Sequence, residues 1–240
     1  MNDVSFKPCG DGALTVAFPS RIDPTINARV CTLARLIPER RVRGVIETIP
    51  TFSSLTVLFD PAITTYARLV RELERLLPEC NQTSGAQKRI FEIPVCYGED
   101  FGEDLPDVAA HAKISAEEVI RVHSSTDYLI YMLGFLPGFA YLGGLDERIA
   151  TPRLQSPRTK IPAGSVGIGG DQTGIYPLDS PGGWRLIGRT PVKPYDPRRA
   201  EPILYRAGDY IRFIPITRAE YDRLLPACED GSYVCSIKEG

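Results

Sequence analysis

Histidine is scarce: His111 and His123 are the only two in 240 residues, too few for the imidazole-rich ligand sets of zinc sites. The six cysteines (Cys9, Cys31, Cys80, Cys96, Cys228, Cys235) include no CxxC pair, which suits reduced thiols better than a disulfide framework or a metal clamp. No metal site is expected. Charge excess is also missing: 28 basic against 30 acidic residues leave a net charge of −2, so nothing draws the chain to nucleic acid or an anionic membrane. No stretch approaches the ~18 consecutive apolar residues of a membrane span. The opening MNDVSFKPCGDG lacks the basic-then-apolar order of a secretory signal, so a cytoplasmic location is expected. GxxxxGK[ST] and GxSxG are absent, and the glycines of GSVGIGG (164–170) do not fit GxGxxG.

What is present falls into two parts. Residues 1–80 read as a small α/β two-layer domain. A hairpin is expected around Gly10-Asp11-Gly12, then a helix opened by Asp23-Pro24 with Ile26, Val30, Leu33 and Ile37 at helical spacing. Two extended runs, VIETIP (45–50) and SLTVLFD (54–60), and a helix from Thr64 to Leu77 complete it, with an antiparallel or mixed sheet. The polar stretch at 81–88 serves as the linker to a second domain, 89–240. There FEIPVCY reads as a strand and Ser115–Glu118 as a capping box ahead of a helix ending near His123. Residues 125–215 hold short extended runs cut by glycine and proline, the pattern of a β-barrel or sandwich, and Thr217 caps a final helix. The fold class expected is α+β.

The residues able to carry chemistry gather between 134 and 191. Pro152-Arg153 and Pro157-Arg158 place guanidinium groups on stiff, extended backbone, suited to carboxylate or phosphate; the alternative is that they bridge neighbouring loops. Gln172 and Tyr176 offer an amide and a phenol. Ser180, Gly182, Gly183 and Trp184 add a hydroxyl, bare N–H groups and an indole, which together suit a small ligand with an amide or carboxylate. Trp184 could equally be a core plug and Gly182-Gly183 a tight turn. His123 is a candidate general base with Asp127 as partner, or a residue at a helix C-terminus facing the dipole. In MLGFLPGFAYLGG (132–144) the residues Phe135, Leu136, Phe139 and Tyr141 sit on a backbone too rich in glycine for a regular element. They are read as a loop divided between the barrel interior and a surface patch covered by a partner; the alternative is a lid wholly within the chain.

GFLPGFAYLGG, PRLQSPRTKIPAGSVGIGGDQTGIYP and SPGGWRLIGRTP, with GDGALTVAF and PVCYGEDFGEDL earlier in the chain, closely resemble the signature blocks of the allophanate hydrolase subunit 1 family. The resemblance implies a small α/β domain followed by a cyclophilin-like β-barrel. It also implies one member of an ATP-dependent 5-oxoprolinase complex, which opens 5-oxo-L-proline to L-glutamate. The implied partners are a homologous C-type subunit and a third hydrolase subunit, with ATP and magnesium used at the level of the complex. On that footing His123, Arg153, Arg158 and Gln172 are assigned to catalysis, and Tyr176, Ser180, Gly182, Gly183 and Trp184 to substrate binding. Family members that inhibit a sporulation-type histidine kinase, or that serve allophanate and urea metabolism, supply the alternative functions.

Overall fold

The structure, a computed structural model, describes residues 3–81 and 88–239. It divides into two compact units, residues 1–86 and 87–240. Most of the expected linker, 82–87, lies outside the described residues.

In the first unit β1 (Ser5–Pro8) and β2 (Ala13–Ala17) form the expected hairpin; β3 (Val45–Pro50) and β4 (Ser54–Phe59) follow α1 (Pro24–Glu39), and α2 (Tyr66–Cys80) closes the unit. The sheet is wholly antiparallel in the order β1-β2-β4-β3. The Asp23 carboxylate caps α1 by accepting from the N–H groups of Thr25 and Ile26 at 2.8 and 3.2 Å. Ile26, Val30, Leu33 and Ile37 then fall on one helical face and bury against Leu14, Val16, Leu55 and Val57, the inward half of each strand's alternation.

The second unit contains β5 (Arg89–Tyr97), α3 (Leu105–Ala112), α4 (Ala116–Ser124), β6 (Tyr128–Leu133), β7 (Ala140–Gly143), β8 (Arg158–Ile161), β9 (Ser165–Gly169), β10 (Gln172–Ile175), β11 (Ser180–Gly182), β12 (Arg185–Arg189), β13 (Tyr210–Pro215), α5 (Arg218–Asp230) and β14 (Ser236–Glu239). The main sheet runs β10-β9-β12-β5-β13-β6-β7, with β14 also on β5. β7 and β10 lie against each other, so the sheet nearly closes into the expected barrel. β5 and β13 pair in parallel, and β8 and β11 form a separate two-stranded flap. Phe91, Ile93, Tyr128, Ile130, Val166, Ile168, Ile187, Ile211 and Phe213 fill the interior. Thr217 caps α5 as expected, in a reciprocal capping box with Glu220. Among the described residues no helix is long and apolar enough to cross a membrane.

Candidate functional site

The β9–β10 hairpin has two faces, and period-two alternation assigns different chemistry to each. Val166, Ile168, Thr173 and Ile175 point inward to the barrel core. Thr173 Oγ1 donates to the Gly167 carbonyl at 3.0 Å, so its lone pair accepts the Nε2–H of His123 at 2.7 Å. Nδ1 of that ring then accepts the Tyr97 hydroxyl proton at 2.8 Å. The imidazole is 0% exposed and stacks on Phe213 with centroids 4.6 Å apart. Burial pulls its pKa down to about 3, because a charged ring here would be desolvated with no anion beside it. The candidate general base is therefore a neutral core histidine whose two nitrogens are both satisfied. Asp127, its supposed partner, pairs instead with Lys88 and Arg212 at 2.9 and 2.6 Å.

On the outer face Gly169 and Gly174 lie beneath the indole of Trp184, and Gly167 lies against its Cβ. A Cβ on Gly169 would stand 2.3 Å from Trp184 Nε1, and one on Gly174 3.2 Å from its ring, so glycine is what lets the indole lie flat on the hairpin. Gln172 is the cross-strand partner of Gly169, and paired residues share a face, which puts its amide on the indole's side. Tyr176 continues the same face and is buried with Phe139 and Trp184, ring centroids 5.8 and 6.0 Å away. Burial raises the Tyr176 phenol pKa. Phe139 meets Trp184 at 5.7 Å and Tyr141 at 5.2 Å, edge to face. Over this cluster the Arg153 guanidinium lies 5.8 Å from the Trp184 ring centroid. Arg153 is exposed, and no carboxylate of the described residues pairs with it. The arrangement is an aromatic shelf of largely buried, edge-to-face rings with an exposed cation over it and an amide on the same face, suited to a small ligand bearing a carboxylate and an amide.

Several sequence assignments change. Arg158 is not available to a ligand: Nε pairs with Glu103 at 3.0 Å and Nη2 with Asp104 at 2.9 Å. Burial works against its charge, but these acids outweigh it and leave the pKa raised. Trp184 is only 5% exposed, so it is both core plug and shelf floor. Tyr176 turns its hydroxyl toward Gly182, where a Cβ would stand 2.5 Å from it, so glycine at this position admits the close contact. The Gly183 carbonyl accepts from Leu154 N–H at 2.7 Å. Ser180 is buried, and its Oγ finds no partner among the described residues. Phe139, assigned to a partner interface, is buried at the centre of the aromatic cluster, whereas Phe135 is 63% exposed with φ +66° and Leu136 and Tyr141 are half-buried. The Gly164–Gly170 run builds β9 and its turn, so its backbone serves the sheet and does not cradle a phosphate. Asp104 and Arg185, absent from the sequence reading, connect to both arginine loops; the only cue was the cluster of acids in GEDFGED. Cavities of about 350 Å3 beside Ile37 and Val45, and of about 60 Å3 between Cys228 and Cys235, include none of these residues in their lining.

Comparison with known proteins sets this geometry in a family. Residues 4–205 match the carboxyltransferase domain, subdomain C and D. The B-type subunit of 5-oxoprolinase from Bacillus subtilis (strain 168) is 45% identical over 222 residues, 88% of this chain and 92% of that protein. Its Escherichia coli O157:H7 counterpart is 42% identical over 206 residues, 86% and 93% of the two. Among solved structures, TTHA0988 superposes with a TM-score of 0.76 at 37% identity over 85% of this chain. This chain spans 40% of that longer one. With most of its length matched, the chain belongs to the carboxyltransferase domain family, subdomains C and D.

Proposed function

We propose that this chain is the B-type subunit of an ATP-dependent 5-oxoprolinase, working with a homologous C-type subunit and a third hydrolase subunit. The observation that carries the reading is the 45% identity to a protein of that name along 92% of its length. The exposed Arg153 cation over the aromatic shelf agrees with it. 5-Oxoproline is a small lactam with one carboxylate: Arg153, backed by Trp184, would hold the carboxylate, and Gln172 the lactam amide. A lactam carbonyl is a poor electrophile. Transfer of the ATP γ-phosphoryl group to its oxygen, releasing ADP, weakens the amide resonance, so that water adds and the C–N bond breaks. The resulting acyl phosphate takes a second water to give glutamate and phosphate.

The nucleotide and its magnesium are assigned to the complex, because the glycine run of this chain is used in the sheet. That the same module occupies 40% of TTHA0988 supports a site completed by neighbouring protein. The test is ATP-dependent glutamate formation from 5-oxo-L-proline by this chain mixed with the C-type and third subunits. Turnover is expected only with all three together, and no turnover from an assembled complex overturns the assignment.

A further inference from the structure

Asp104 stands at the N-terminus of α3, where an aspartate ordinarily caps its own helix, yet its side chain makes no capping hydrogen bond. The buried carboxylate is spent elsewhere. One oxygen accepts from Arg158 Nη2 at 2.9 Å and the other from the Leu186 N–H at 2.7 Å, while the Asp104 N–H donates to the Leu186 carbonyl at 2.9 Å. Arg185 Nη1 lies 3.9 Å from the first oxygen. Gly102 allows so close an approach to β12, since a Cβ there would fall 2.2 Å from the Ile187 carbonyl oxygen.

Two arms run from this carboxylate to the shelf. Arg158 Nη1 donates to the Trp184 carbonyl at 3.4 Å. Arg185, braced by Asp107 at 2.7 Å, donates from Nε to the Pro152 carbonyl at 3.4 Å. Leu154 N–H is bonded to Gly183, so Arg153 is tethered on the residue before it and on the residue after it. Its own guanidinium lies over the indole, paired with no carboxylate of the described residues.

The geometry points to Asp104 as a positioning residue: through Arg158 and Arg185 it sets Trp184 and the Arg153 loop in one register, so that a ligand carboxylate meets the guanidinium directly above the indole. The substrate in this inference rests on the oxoprolinase reading; the clamp itself does not. Asp104→Asn keeps the size of the side chain but leaves an NH2 or an uncharged oxygen facing Arg158. In the complete complex it should raise the KM for 5-oxoproline about tenfold with kcat within about twofold, as expected for lost ground-state binding. Added to Arg153→Ala it should cost little more, because the two act through one contact.

Trp184 is the single tryptophan, so acrylamide quenching of the isolated full chain gives a second readout. Asp104→Asn and Arg185→Gln should each increase quenching at least twofold, with far-ultraviolet circular dichroism unchanged. Arg185→Gln cuts one arm while leaving Asp104 paired with Arg158, and it decides the matter if Asp104→Asn does not fold. Wild-type quenching and KM in a folded variant, or additive effects of Asp104→Asn and Arg153→Ala, overturn the inference. A wild-type complex without turnover counts against the oxoprolinase reading alone, since quenching still decides the clamp.

Discussion

His123 Nε2 lies 2.7 Å from Thr173 Oγ1, a bond that spans 50 positions of sequence and ties α4 to the inner face of the β9–β10 hairpin. The ring is neutral, with its pKa lowered from 6.5 to about 3 by burial. Between those values the unfolded chain binds a proton that the folded chain does not, so stability from this group is complete above about pH 6.5 and drains away as the pH falls. The loss should reach roughly 2 kcal/mol at pH 5 and about 4 kcal/mol near pH 3. Urea midpoints of the wild type should fall accordingly between pH 7 and pH 5. His123→Gln should show a shallower slope at lower overall stability; equal slopes would remove His123 as the titrating group.

Gly169 carries the indole. With a Cβ placed 2.3 Å from Trp184 Nε1, Gly169→Ala must push the ring off the hairpin, an overpacking cost of about 1–3 kcal/mol. A lower melting temperature and a red-shifted tryptophan emission are expected together. Unchanged emission would mean that the ring does not lie on β9.

Arg153 is the shelf's available cation. Arg153→Ala should leave the melting temperature within a degree or two, since the side chain is exposed and pairs with no carboxylate of the described residues. Loss of one charge-assisted hydrogen bond, about 1.5–3 kcal/mol, corresponds to roughly a ten- to hundredfold rise in KM. Steady-state kinetics of the complex against 5-oxoproline concentration read this directly. A normal KM would place the carboxylate elsewhere.

Phe135 has a left-handed backbone, φ +66°, and a ring 63% exposed that touches Phe139 at 5.5 Å. A bulky residue is strained there and glycine is not. Phe135→Gly should therefore stabilise the isolated chain slightly, by up to about 1 kcal/mol, while weakening co-elution with the C-type subunit. Tighter or unchanged association on a sizing column would exclude Phe135 as a partner anchor.

Much of the fold was legible in local pattern. The Asp23 and Thr217 caps, the helical spacing of Ile26 to Ile37 and the alternation in SLTVLF each state a periodicity and a boundary within a few residues. α3 was missed because LPDVAAHA is short and ends on Lys113 in the left-handed region with no glycine to mark the stop. β14 was missed because all four residues are exposed, so it shows no burial alternation, and it exists by pairing with β5. Of the expected site residues, the structure brings Arg153, Gln172 and Trp184 to one face of the β9–β10 hairpin. The error at His123 was one of face: Thr173 and Gln172 are adjacent, yet one points at the core and the other at the shelf.

The amino-acid sequence by itself determined the two-unit α+β plan, the capped starts of α1, α4 and α5, and the aromatic, glycine and arginine types gathered between 134 and 191. Those depend on contacts of a few residues' reach, which periodicity and capping record. Only the tertiary structure decided which arginine is available and which is neutralised, which aromatic rings are buried, and that Asp104 joins β12 to both arginine loops. Partners 54 and 82 positions apart in the chain leave no trace in local spacing, because the Asp104 carboxylate reaches the Leu186 N–H only where β12 pairs with β5 in the folded sheet.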